Sequence, residues 1–315
     1  MALVVTTTAR AEWFRFSDSA MTTPVNLELW ADDRAQAEAL WRQVFAQFTR
    51  VDEVMSRYRE DSELSRVNRD AAREPVPVSE PLFAVLRKAR DISELSDGAF
   101  DISFASVGYL YDFREGRQPD DEAVNAGLER INFRDILLDD EAHTVAFRKP
   151  GLRLDLGGIA KGYAVDQGMR VLTGAGVQHA RLSAGGDMRL LGDHRGRPWM
   201  VGVRDPRHKD KQAVVMPLSD TAISTSGDYE RFFIDDDGER IHHILSPSTG
   251  RPVGEVQSVT IIGDEAMTTD ALSTAVFVLG ARNGLALVND LEGIDAVIID
   301  EDRRMHYSQG LMSGE

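Results

Sequence analysis

Three glycines and a lysine crowd one short stretch, Leu154-Asp155-Leu156-Gly157-Gly158-Ile159-Ala160-Lys161-Gly162, where an extended segment runs into a helix. Glycines let the backbone approach a ligand closely, and the first N–H groups of a helix attract anions. Lys161 adds a positive charge that a diphosphate could use. The plain alternative is a glycine-rich turn with a surface lysine. The run is not a phosphate loop of the Walker type, because Lys161 is followed by Gly162-Tyr163 rather than Ser or Thr. Asp270 and Thr274 stand four apart at the start of a predicted helix, so both side chains share one face. They suit Mg²⁺, which takes one or two carboxylates alongside substrate phosphates. Alternatively, Asp270 only complements the helix dipole and Thr274 only packs. His242-His243 falls in a predicted strand, where neighbours point to opposite faces, so one of the two can face a site. No His-x-x-x-His spacing surrounds the pair, which argues against zinc.

These groups need a scaffold. Leu40, Val44, Phe48, Val51 and Met55 recur at three- and four-residue spacing and predict a helix over 32–58. A second helix is expected over 79–98, with Ser79 as N-cap and Leu82, Leu86, Ala89 and Ile92 on one side. Strands are expected at 135–138 and 144–147, and a helix at 163–173. Short strands follow near 179–183, 187–191, 199–204, 213–217, 231–234, 241–245 and 257–263. A helix over 269–280 should turn Leu272, Val276 and Leu279 inward, and 296–299 returns as a strand. Hairpins mixed with helices, without a regular βαβ rhythm, predict an α+β fold with mixed, largely antiparallel sheets and flanking helices. Asp235-Asp236-Asp237-Gly238 reads as an exposed hairpin turn. Ser224-Thr225-Ser226-Gly227-Asp228 reads as a loop shaping a pocket, since no Gly-x-Ser-x-Gly elbow occurs.

A net charge of −16 disfavours nucleic acid as a partner. With no cysteine, disulfides, thiolate metal sites and cysteine nucleophiles are excluded, leaving oxygen, nitrogen or a hard cation to do chemistry. No apolar run suggests a membrane span. Residues 1–12 read as a leader or a disordered N-terminus, with Ala9-Arg10-Ala11 having the small-x-small form of a cleavage site, and 13–315 as one domain or two closely packed subdomains. The expected location is periplasmic, with the cytoplasm as the alternative.

The segments Asp97-Gly98-Ala99-Phe100-Asp101, the glycine loop, Ser183-Ala184-Gly185-Gly186-Asp187, Ser224 to Tyr229, His242-His243-Ile244 with Pro247 and Thr249-Gly250, and Thr269 to Thr274 occur in this order. Together they resemble the ApbE family of FAD:protein FMN transferases over almost the whole chain. The resemblance implies a T-fold-like architecture, FAD as substrate, and Mg²⁺ held by Asp270, Thr274 and the carbonyl of Gly158. It also implies transfer of FMN to a Thr or Ser hydroxyl of an acceptor protein, with release of AMP. The family's acceptors are subunits of membrane redox complexes and related flavoproteins; hydrolysis of FAD, or flavin binding without turnover, are the rival activities. By the same resemblance, flavin contacts fall to Met21, Tyr58, Ala99, Phe100, Asp101, Asp155, Lys161, His243 and Ile244, and catalysis to Lys161 and to His243 as base, with His242 as the alternative. Two departures stand out. Thr22 replaces a glycine of the family's Met-Gly-Thr segment, and Ser246 stands where the family commonly has an aspartate.

Overall fold

The computed structural model describes residues 11–313. The proposed cleavage motif therefore lies outside the described residues, apart from Ala11. The chain opens with β1 (Glu12–Ala20), β2 (Thr23–Ala31), α1 (Arg34–Met55), α2 (Glu63–Asp70), β3 (Val76–Pro77) and α3 (Glu80–Leu95). Then come α4 (Ala105–Gly108), α5 (Asp121–Leu128), β4 (Ile136–Asp139), β5 (Thr144–Phe147) and α6 (Ala160–Gly174). A series of strands follows: β6 (Ala180–Ala184), β7 (Asp187–Leu191), β8 (Trp199–Arg204), β9 (Gln212–Leu218), β10 (Ala222–Gly227), β11 (Phe232–Ile234), β12 (Arg240–His242) and β13 (Val256–Gly263). The chain ends with α7 (Ala266–Asn289), β14 (Asp295–Asp300), β15 (Met305–Tyr307) and α8 (Gln309–Ser313).

Eight strands form one antiparallel sheet in the order β1-β2-β6-β7-β10-β13-β14-β15. The expected α+β class holds. Helices α1, α6 and α7 cover one face, and the β8–β9 hairpin covers part of the other through Trp199, Val201, Val203 and Met216. Strand β10 shows the two-residue alternation: Ala222 joins the helix-side core, while Ile223 joins the hairpin side. β13 is buried along its whole length because both of its faces are covered.

The apolar faces of α1 and α3 are buried as the spacing predicted. Helix α1 ends at Met55, and Ser79 precedes α3 without a side-chain cap bond. Strands β1 and β2, joined by the two-residue turn Met21-Thr22, had not been expected. The segment 224–228, expected as a loop, is mostly central strand: a Ser/Thr/Gly run reads as a turn until tertiary contacts bury its hydroxyls. The acidic turn at 235–238 lies between β11 and β12 as expected.

Helix α7 begins at Ala266 rather than near 269, and Leu279 is only half-buried while Phe277 is fully buried. Against the sequence expectation, α7 is long and apolar enough to cross a membrane, with a mean hydropathy of 1.5. In this fold it packs on β10, β13 and α6, and Gly280, at φ 76°, breaks its helical geometry.

Candidate active site

The site forms where the N-terminal ends of α6 and α7 meet. Asp166 of α6 accepts hydrogen bonds from the backbone N–H groups of Ala266 (3.1 Å) and Met267 (2.9 Å), so one helix caps the other. Arg189 neutralises this buried carboxylate from 2.6 Å. Gly162 permits the close approach, because a Cβ there would collide with the Ala266 carbonyl. This borrowed cap sets the start of α7 and moves Asp270 into its second turn.

The glycine loop is fixed from both sides. Asn68 of α2 holds Leu154 by its backbone N–H (2.7 Å) and carbonyl (3.0 Å), and Asp155 accepts from Gly157 N–H at 2.6 Å. The other oxygen of Asp155 pairs with Arg57 at 3.1 Å. Arg57 lies over the rings of both Tyr58 and Tyr109. Asn68 and Tyr109 went unrecognised in the sequence; a polar residue on the inner side of a short helix was the only signal for Asn68.

Lys161 emerges from this loop and donates to the Gly157 carbonyl at 2.7 Å. Its ammonium lies 3.2 Å from Asp187 Oδ2 and 3.4 Å from both oxygens of Asp270. Burial opposes the charge on Lys161, but Asp187 and Asp270 outweigh it, so its pKa is raised. Asp270, which also accepts from Gly162 N–H at 3.0 Å, is pushed up to about 7 by burial and then by Asp187, against the pull of Lys161. Asp187, a residue the sequence had placed only within a motif, is thus part of the cluster.

Thr274 lies one helical turn beyond Asp270, beside Gly158: a Cβ on Gly158 would sit 3.1 Å from the Thr274 hydroxyl. Strand β10 supports this face with Ser224 on Thr269 (2.8 Å) and Ser226 on Ser273 (2.8 Å) and Thr274 (3.4 Å). Asp270 and Thr274, one helical turn apart, thus both border the glycine loop, Asp270 through Lys161 and Gly162 N–H and Thr274 beside Gly158. Among the described residues no group of three or more His, Asp and Glu could hold a metal ion. A single-carboxylate set of this kind fits Mg²⁺, which relies on substrate phosphate and water for its other ligands.

The two histidines separate cleanly. His242, 2 % exposed, uses Nε2 toward the Val253 carbonyl (2.7 Å) and accepts at Nδ1 from Ile244 N–H (3.3 Å). Both ring nitrogens are occupied, and burial lowers its pKa. His243 lies just past the end of β12, so the strand expected over 241–245 is shorter than predicted. Its backbone N–H and Nδ1 both face the Arg231 carbonyl, at 3.1 and 3.3 Å. Lost hydration, then the charges of Arg231 and His242, and more weakly Lys161, push it down to about 3. Arg231 in turn donates to Thr22 Oγ1 at 2.8 Å, bringing the Met21-Thr22 turn to His243. Thr22 has φ 61°, a left-handed value costly for a β-branched residue.

The remaining expected contacts divide. Phe100 is buried beside Gly158, Ala99 is half-buried, and Ile244 is buried. Tyr58 is 63 % exposed and its hydroxyl accepts from Arg57. Asp101 serves as a cap: Oδ1 takes Ser103 N–H and Oγ–H, Oδ2 takes Phe133 N–H, and its carbonyl takes Phe104 N–H. A groove of about 480 Å³ lies elsewhere, between Asp18 and the exposed side of α1. Its charged residues are solvated, and none of the groups around Lys161 reaches it.

A sequence model of the ApbE family matches residues 21–298. The chain belongs to the ApbE family. The FAD:protein FMN transferase of Treponema pallidum (strain Nichols) is 36 % identical over 296 residues, covering 88 % of this chain and 82 % of that protein. That of Klebsiella pneumoniae (strain 342) is 32 % identical over 295 residues, covering 92 % and 90 %. Among solved structures, the ApbE protein of Thermotoga maritima superposes with a TM-score of 0.88 at 33 % identity, covering 96 % of this chain and 99 % of that one. The flavin transferase ApbE of Vibrio cholerae gives 0.87 at 30 %, with the same coverage. Within this ApbE fold, the glycine loop, Lys161 and Asp270 lie at one helix-end junction.

Proposed function

We propose that this chain is a flavin transferase that takes FAD as substrate and moves its FMN half to a Thr or Ser hydroxyl of an acceptor protein, releasing AMP. The observation that carries the reading is Lys161 at the N-terminal end of α6, which is what a diphosphate needs, with Asp270 beside it as the carboxylate that a bridging Mg²⁺ would use. In the reaction the acceptor oxygen forms a bond to the FMN phosphorus, the P–O bond to the AMP phosphate breaks, and the hydroxyl proton passes to a base. Lys161 would bind the phosphates and offset charge as the AMP phosphate departs; positioned charge of this kind supplies much of the catalysis in phosphoryl transfer. Mg²⁺, held by Asp270, Thr274 and the Gly158 carbonyl, would add positive charge at the same phosphates when bound.

His243 is the base. Its lowered pKa keeps it unprotonated at ordinary pH, and an imidazole held that low is a weak base until its surroundings change. Burial depresses it most, then Arg231 and His242 and, more weakly, Lys161; an entering diphosphate would offset the part due to Arg231 and Lys161 and so raise its proton affinity when substrate is present. The acceptor is proposed to be a subunit of a membrane redox complex or a related flavoprotein, met in the periplasm; this part rests on the family resemblance. Incubating the protein with FAD, Mg²⁺ and candidate acceptors, followed by mass spectrometry, tests the reading. A covalent FMN adduct with stoichiometric AMP supports it. Free FMN and AMP without adduct would mean hydrolysis, and unchanged FAD would mean binding alone.

A further inference from the structure

Asp187 opens β7 directly after the Gly185-Gly186 turn and is 2 % exposed. Its Oδ2 lies 3.2 Å from Lys161 Nζ yet receives no hydrogen bond of good geometry, so charge rather than a directed bond joins the two. Lys161 is shared: it donates to the Gly157 carbonyl at 2.7 Å and, over the long distance of 3.4 Å, to both oxygens of Asp270, while Asp187 lies closer to the ammonium without a directed bond. Two buried carboxylates thus divide one cation. A lysine held by Asp270 alone would cover the oxygens that a metal needs.

Building on the metal site proposed above, we infer that Asp187 is a positioning residue whose pull on Lys161 keeps the lysine's bonds to Asp270 long, so that a divalent cation can displace them while the ammonium stays at the mouth of the glycine loop. Once a cation takes Asp270, Asp187 and the Gly157 carbonyl remain to hold Lys161 toward the phosphates. Without Asp187, lysine and cation compete for the same two oxygens.

The test is calorimetric titration of the full chain with MgCl₂ in the absence of FAD, for wild type, Asp187→Asn, Lys161→Ala and the double variant. Removing a nearby negative charge weakens cation binding in any background, so the informative quantity is the difference between backgrounds. Residues in direct contact couple, and Asp187→Asn is expected to weaken Mg²⁺ by at least about fivefold more when Lys161 is present than when it is alanine. Lys161→Ala alone is expected to tighten Mg²⁺, an arm that does not depend on the Asp187 variant folding. Equal losses in the two backgrounds would make Asp187 a direct attractor or ligand of the cation and overturn the inference, as would weaker binding in Lys161→Ala. A wild type that takes up no Mg²⁺ would overturn the metal site itself, and with it this role for Asp187.

Discussion

Replacing Asp270 by Asn should make the metal-free protein more stable while abolishing its response to Mg²⁺. The Asn side chain keeps an acceptor for Gly162 N–H, which Asp270 now satisfies at 3.0 Å, so no buried donor is orphaned. What it removes is a carboxylate crowded by burial and by Asp187. The folded pKa of about 7 lies roughly three pH units above the ordinary 3.8, and each unit is worth ~1.4 kcal/mol, giving an upper figure of ~4 kcal/mol. Sharing of Lys161 between the two acids makes ~2–4 kcal/mol the working range. The sign follows from proton binding. A raised carboxylate pKa means that the folded state holds a proton the unfolded chain has released, so stability is full below about pH 4 and falls as pH rises through about 7. Thermal melts in EDTA should therefore place Asp270→Asn above wild type by roughly 5 °C at pH 8, the gap closing steadily toward pH 4. Saturating Mg²⁺ should lift wild type by about 2.7 kcal/mol at a hundred times Kd and leave the variant unmoved. A variant that melts below wild type at pH 8 without metal, or that gains as much from Mg²⁺, would refute the reasoning.

His242→Ala should lower the melting temperature, at a cost of roughly 1–3 kcal/mol, since it leaves the buried Ile244 N–H without its acceptor. His243→Ala should leave melting unchanged but reduce the transfer rate more than FAD affinity; equal rate losses for the two would point to a structural pair. Because His243 is held well below the usual imidazole range, kcat/KM of wild type should show no acid limb near pH 6.5; a limb there that disappears in His243→Ala would keep His243 as the base and refute its lowered pKa, and one that persists in the variant would belong to another group. Lys161→Ala should weaken FAD about ten- to a hundredfold while hardly affecting riboflavin, which lacks phosphate; an equal loss for both ligands in calorimetry would make the lysine a structural residue. Thr22→Gly should stabilise the β1–β2 turn by ~1 kcal/mol, since it relieves the left-handed threonine at the cost of an exposed hydrogen bond to Arg231, and a fall in melting temperature would show that the Arg231 contact dominates.

The parts of this site that were legible in the sequence are those governed by spacing along one element. Asp270 and Thr274 share a helix face because they are four residues apart, and the buried stripes of α1 and α3 follow from the same periodicity. The glycine loop announces itself because only glycine tolerates the contacts made at Gly162. The choice between His242 and His243 was not legible, since alternation says that two neighbours differ but not which of them meets Val253 and which meets Arg231. Nor was the true start of α7, because its cap comes from Asp166, a hundred residues earlier in the chain. The strand over 222–227 hid for the same reason: its hydroxyls are satisfied by Thr269 and Ser273 on α7. Asp187 carries no local pattern that pairs it with Lys161. Packing brings the two together and removes the water around them, and that loss of solvent turns an acid in a glycine turn into a charge that acts on the site.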